Sequence, residues 1–183
     1  MKWHSWITFV IIVAVFGIFV YFVSKIVNPL DFYYKWQDEK RKSDLVQIQQ
    51  ALEKYYAANS EYPVSTGNDV NPCEGDNLLK QRNPNTKEFE PIQWGTNWFG
   101  YVEPMPQDSD GSRCYVYAVA PTKQSYWLYA SLQRGKKDEH TCGHPGIDCN
   151  NMIGNNLQFA CHKKGISDAS NCNYGLSSAN ESL

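Results

Sequence analysis

The pattern of apolar and polar positions changes four times along the chain. Trp6 to Val23 reads WITFVIIVAVFGIFVYFV, without a charge and interrupted only by Thr8, Gly17 and Tyr21. A helix over 6–27 is about 33 Å long, enough for a bilayer core of about 30 Å. Trp3, Trp6 and Tyr21 supply the amphipathic rings that favour the membrane interface. Asn28-Pro29 then breaks or kinks this helix, because proline lacks the N–H and clashes with the preceding turn. A second helical pattern is predicted over 32–59. Leu45, Ile48, Leu52, Tyr55 and Tyr56 recur at spacings of three and four, which makes one packing stripe. Lys40, Arg41, Lys42, Gln47, Gln49, Gln50, Glu53 and Lys54 are assigned to the other faces. Asn59-Ser60 ends the helix and Tyr62-Pro63 starts extended chain.

From Val64 to Pro91 the pattern is loop-like, with a short helix expected around 76–82. Two alternating runs follow, Cys114 to Val119 and Tyr126 to Leu132. Pro121 to Gln124 between them is a hairpin loop, and 93–134 is the sheet region. Beyond Arg134-Gly135 the chain turns polar, and 135–183 reads as Cys-rich loops with a frayed end from Ser177. The expected organisation is thus a short tail at 1–5, a membrane helix at 6–27 and a domain at 28–183. The fold class is α+β, a long N-terminal helix with a membrane half and an amphipathic half, the latter packed on a small antiparallel sheet.

Composition narrows the class. The chain has 183 residues, 42% apolar and 20% charged, with a formal net charge of -2. This excludes a charged disordered tail and gives no electrostatic footprint for nucleic acid. A cleaved secretory signal is the competing reading of the first segment. The apolar run is too long for one and no small-x-small site follows it, so a retained anchor is expected. The flanking charges favour a cytoplasmic C-terminal part, with Lys25, Lys35, Lys40, Arg41 and Lys42 beyond the span. The six cysteines favour the opposite, oxidising side.

Cys73, Cys114, Cys142, Cys149, Cys161 and Cys172 admit 15 pairings, among which sequence does not choose. Cys73–Cys114 is the expected first pair, with the other four bridging the C-terminal loops, where few large apolar side chains exist to build a core. Zinc is the rival, through His140, Cys142, His144, Cys161 and His162, but the spacing fits no common zinc pattern. Asp108-Ser-Asp110-Gly111 looks like the start of a calcium loop. Arg113 and Val119 stand where an EF-hand needs Gly and Glu, so an ordinary Asp/Ser/Gly turn is preferred, with Asp138 and Asp148 as further candidate calcium ligands. No cofactor is assigned. No catalytic motif stands out and no enzyme activity is expected. Trp94, Trp98, Phe99 and Tyr101 form either core under the helix, which is preferred, or a carbohydrate or peptide platform. Asn180-Glu-Ser182 is a glycosylation sequon too near the end to weigh much.

One stretch carries a resemblance. Lys40-Arg-Lys-Ser-Asp-Leu-Val-Gln-Ile-Gln-Gln-Ala-Leu-Glu-Lys-Tyr-Tyr-Ala-Ala-Asn-Ser-Glu-Tyr-Pro63 resembles the amphipathic helix of bacterial type IV pilins and type II secretion pseudopilins. Tyr101 to Asp108, Tyr115-Val-Tyr117, Tyr126 to Leu132 and Cys172 to Ser178 resemble later segments of the same families. The resemblance implies a single-span protein with its N-terminus in the cytoplasm and its domain outside. The partners it implies are the membrane, other pilin-like subunits and pilus or secretion machinery. The sequence departs from the families at its start. Prepilins are cut after a Gly that precedes an aromatic residue, and carry a Glu five residues into the mature chain. MKWHSW has no such Gly, and residues 1–30 hold no acidic residue. An uncleaved anchor is therefore expected, on either an assembly subunit or a tethered binding module that does not polymerise.

Overall fold

A computed structural model describes residues 2–26, 28–65, 79–83, 86–142, 161 and 172–178. The chain is α+β. It forms two compact units, Met1–Trp36 and Gln37–Leu183.

The first unit holds helix α1, Lys2–Ile26, and the opening turns of helix α2, Pro29–Asn59. The break between them falls at the expected place, but α2 starts earlier than the apolar stripe suggests. The Asn28 side-chain oxygen accepts from the backbone N–H of Leu30 and Asp31 at 3.2 and 3.3 Å. Asn28 is thus an N-cap, and Pro29 occupies the first helical position, where its missing N–H costs nothing. The proline that ends one helix begins the next. α2 then runs unbroken to Asn59. Ser60 takes a φ of 59° and its N–H donates to the Tyr56 carbonyl at 2.7 Å. The Asn59 side-chain amide donates to the Tyr55 carbonyl, and together these satisfy the last turn.

In the second unit, β4 (Val116–Val119), β5 (Tyr126–Ala130) and β6 (Tyr174–Ser177) form an antiparallel sheet with β5 in the middle. Tyr117 faces Leu128 across the β4–β5 pair, and Ala130 faces Tyr174 across β5–β6. The expected hairpin joins β4 to β5. β6 corrects the reading of the end as frayed: Ser177 lies in the strand and Ser178 is buried. Its four residues include a glycine and one large aliphatic side chain, too few to show alternation.

A second small sheet joins β1 (Val64–Ser65), β2 (Leu79–Arg82) and β3 (Phe89–Ile92), all antiparallel. The helix expected around 76–82 is not formed in its described part, because 79–82 is a strand. Leu79 and Trp98 explain why. Leu79 is fully buried in the core, and the Gln81 side chain accepts from the Trp98 indole N–H at 2.7 Å. Tertiary contact overrides the intrinsic helical preference of Leu-Lys-Gln-Arg.

The period of two along β4 and β5 divides the sheet into two covered faces. Tyr115, Tyr117, Tyr126, Leu128 and Ala130 join Leu45, Ile48, Ala51, Leu52 and Tyr55 of α2 in the main core. Val116 and Tyr129 join Cys161 and Cys172 in a smaller cluster on the other face. The aromatic segment before the sheet belongs largely to the core. Trp98 is buried, Trp94 and Tyr101 pack on it half-buried, and only Phe99 stands out, at 73% exposure.

Candidate functional site: the apolar helix and the α2 seam

Two features bear on function, one in each unit. In the first unit, α1 contains Trp6–Ser24, a stretch long and apolar enough to cross a membrane, with none of its side chains buried. The Ser24 hydroxyl donates to the Tyr21 carbonyl at 2.8 Å, so its polar group is satisfied within the helix. Beyond the Asn28 cap, Leu30, Phe32, Tyr33, Tyr34 and Trp36 are all exposed as well. Tyr33 stacks on Trp36 with ring centroids 6.4 Å apart.

In the second unit, α2 lays a mixed seam on the sheet. Of the expected packing face, Leu45, Ile48, Leu52 and Tyr55 are buried. Tyr56 is half-buried at the rim, stacked on Tyr62 and donating its hydroxyl to Gln124 at 2.7 Å. The seam does not stop at the apolar residues. Gln37, Asp38, Arg41 and Asp44 are buried too, which corrects the placing of Arg41 on an outer face. Arg41 is 1% exposed. Its Nε donates to Asp108 Oδ2 at 2.7 Å and Nη2 to Asp108 Oδ1 at 3.1 Å, a bidentate pair. Its Nη1 donates to Asp38 Oδ1 at 3.0 Å. Asp38 also accepts from the backbone N–H of Gln133 and Arg134, each at 2.8 Å, which ties the chain after β5 to the helix. Asp108 also accepts from the Asp110 N–H at 2.8 Å.

The next turn repeats the device. Asp44 Oδ2 accepts from Lys40 Nζ and from the Tyr115 hydroxyl, both at 2.6 Å. Further along, Glu53 accepts from the hydroxyls of Tyr62 and Tyr126 at 3.0 Å each. Burial, the hydrogen bond to Asp44 and that carboxylate's charge all push the Tyr115 phenol well above its ordinary range. For Arg41, burial works against the charge, but the Asp108 and Asp38 carboxylates outweigh it and raise its pKa.

The signal for this network was present. Asp38, Arg41 and Asp44 lie three apart and in phase with Leu45 and Ile48. Charge suggested solvent, and the partner Asp108 lies 67 residues away.

The candidate calcium ligands are engaged elsewhere. Asp108 holds Arg41, and Asp110 accepts from Ser112 and Arg113. Asp138 pairs with Lys42, whose ammonium also sits 5.7 Å from the Tyr174 ring centre. Asp148 lies outside the described residues. Among the described residues, no group of three or more His, Cys, Asp or Glu is placed to hold a metal.

Cys161 and Cys172 form a disulfide. Cys114 and Cys142 are disulfide-bonded as well. Cys142 and Cys161 therefore lack the thiolates that a zinc site with His140 needs. Cys73 and Cys149 lie outside the described residues, and so does the expected Cys73–Cys114 pairing at its first member. His144, His162 and the sequon at Asn180 also lie outside them.

Comparison with known proteins finds no matching family model, no matching curated protein and no matching solved structure.

Proposed function

We propose that this chain is a single-span, pilin-like structural protein that works by assembly, without enzymatic activity, in a surface filament or a secretion-type complex. Its N-terminus lies in the cytoplasm and its domain outside. The observation that carries this reading is the order of parts: an apolar helix fit to span, then a helix whose own stripe covers a three-stranded antiparallel sheet. That order is the one implied by the resemblance of residues 40–63 to pilins and pseudopilins. The Cys161–Cys172 disulfide and the bonded Cys114 and Cys142 support the oxidising side of the membrane.

A second reading, a tethered binding module on the same fold that never polymerises, is favoured by one observation. The apolar span carries no acidic residue to register neighbouring subunits. Packing between spans would then rest on van der Waals contact alone.

Treatment of right-side-out spheroplasts with a membrane-impermeant amine crosslinker tests both. Assembly predicts a ladder in multiples of the 21.0 kDa chain. Labelled monomer without a ladder favours the tethered module. Lysines labelled only after lysis would place the domain in the cytoplasm and overturn both readings.

A further inference from the structure

The exposed aromatic residues at the start of α2 are not explained by the span, which ends at Ser24, or by the core. Among the described residues every buried side chain lies at Gln37 or later. Before that point the large apolar side chains from Trp6 to Val23 are exposed, and so are Leu30, Phe32, Tyr33, Tyr34 and Trp36. After it the exposed large apolar residues among those described are Val46, Phe89 and Phe99, scattered singly. Among the described residues, exposed large apolar side chains therefore follow one another from the span to Trp36 and are only scattered beyond it.

The arrangement within 30–36 is ordered. At about 100° per residue, Leu30, Phe32, Tyr33, Tyr34 and Trp36 cover an arc of about 200°. Asp31 and Lys35 share the opposite sector. Aromatic rings with a polar atom at one end, flanked by a charged strip, are the chemistry of the lipid headgroup layer rather than of the hydrocarbon core.

Depth adds a second argument. A helix rising straight from Ser24 along the membrane normal would carry Phe32 about 12 Å and Trp36 about 18 Å past the span. The headgroup layer on one side is only about 5–8 Å deep. A straight rise would leave these rings in water. The break at Asn28-Pro29, capped so that α2 starts afresh, permits a change of direction just where one is needed.

We infer that Leu30–Trp36 is a second membrane contact, an aromatic collar lying in the phospholipid headgroup layer with Asp31 and Lys35 turned to water. This rests on the reading of Trp6–Ser24 as a membrane anchor, and the test separates the two.

The full-length chain is made with photoreactive p-benzoylphenylalanine in place of Phe16, Phe32, Trp36 or Phe99, one position at a time. Each variant is reconstituted in vesicles of phosphatidylethanolamine and phosphatidylglycerol, irradiated and weighed intact. The collar predicts a mass gain of one phospholipid at Phe16, Phe32 and Trp36, and none at Phe99. Lipid capture at Phe16 but not at Phe32 or Trp36 overturns the collar and leaves the anchor standing. A dimer at Phe32 and Trp36 in place of the lipid adduct assigns the arc to a second copy and overturns it as well. Failure at Phe16 too removes the anchor and the collar together. Capture at Phe99 as strong as at Phe32 shows contact without a boundary at Trp36, and also overturns the proposal.

Discussion

Arg41 is a cation with almost no access to water, held by two carboxylates that are equally hidden. Its worth is asymmetric. The intact triad roughly offsets the desolvation of its members, but removal of one leaves the others buried and uncompensated. Arg41→Met is therefore expected to cost about 3–5 kcal/mol in urea denaturation. Lys40→Met, which removes a partly exposed partner of Asp44, should cost less than about 1 kcal/mol. Equal costs would show that the buried triad is not the keystone of the seam. The tyrosines give a second residue-scale expectation. Burial raises the phenol pKa of Tyr55, Tyr62, Tyr115, Tyr117, Tyr126, Tyr129 and Tyr174. A group whose pKa is raised on folding lends stability that is complete below its unfolded value, about 10, and fades as pH climbs above it. In an alkaline titration these phenols should ionise together with the loss of near-UV circular dichroism. Smooth ionisation near pH 10 with the fold intact would contradict their burial. At the acid end the sign reverses. Burial opposes the charge of Asp110, but Ser112 and Arg113 overcome it and lower the pKa, as Lys42 does for Asp138. Their contribution is present above the ordinary carboxylate range and is lost as pH falls below about 4.

At the scale of elements, the sheet between β4 and β6 has a face that α2 does not cover. Val116 and Tyr129 are buried there against the bonded Cys161 and Cys172, so the disulfide covers this part of the face opposite α2. Replacing both cysteines by alanine should lower stability by about 2–3 kcal/mol, given the sequence separation of 11. Thermal unfolding of the variant, with and without reductant, checks this. Gly175 is the other constraint on this face. A Cβ there would lie 2.7 Å from the Tyr129 ring and 3.1 Å from the Leu128 carbonyl, so Gly175→Ala should loosen β6 and lower the melting temperature. These elements were unevenly legible in the sequence. The α2 stripe and the β4–β5 hairpin were readable because Leu45, Ile48 and Leu52 keep a period near 3.6 while Tyr115, Tyr117, Tyr126 and Leu128 keep a period of two. β2, β3 and β6 were not. Leu-Lys-Gln-Arg, Phe-Glu-Pro-Ile and Tyr-Gly-Leu-Ser each hold too few apolar positions to set a phase, and long-range pairing fixes them. The polar half of the seam was hidden for a different reason. A charge in phase with a stripe signals burial only when its distant counter-charge is known.

At the scale of the molecule, burial begins at Gln37 among the described residues, which separates the segment proposed as an anchor from the part that builds the core. A chain that starts at Leu30 should be recoverable without strong detergent. Its urea midpoint should match that of the full-length protein in detergent, because the core and the ion network lie beyond the cut. A large loss of stability would show that the residues before Leu30 take part in the fold. The order of strands has a further consequence, for the time at which this domain can form. β5 lies at the centre of its sheet, yet its second neighbour, β6, follows it only from Tyr174 onward, far later in the sequence than the β4–β5 hairpin. Gln49 of α2 also waits for that strand, donating to the Ser177 carbonyl at 3.0 Å. During synthesis, at about 5–20 residues per second, the middle of the chain emerges well before its closing strand. One edge of β5 then stays open until Ser178 has left the ribosome. A chain stopped short of that point presents an unpaired, tyrosine-rich strand edge to its neighbours, a template for pairing with another chain.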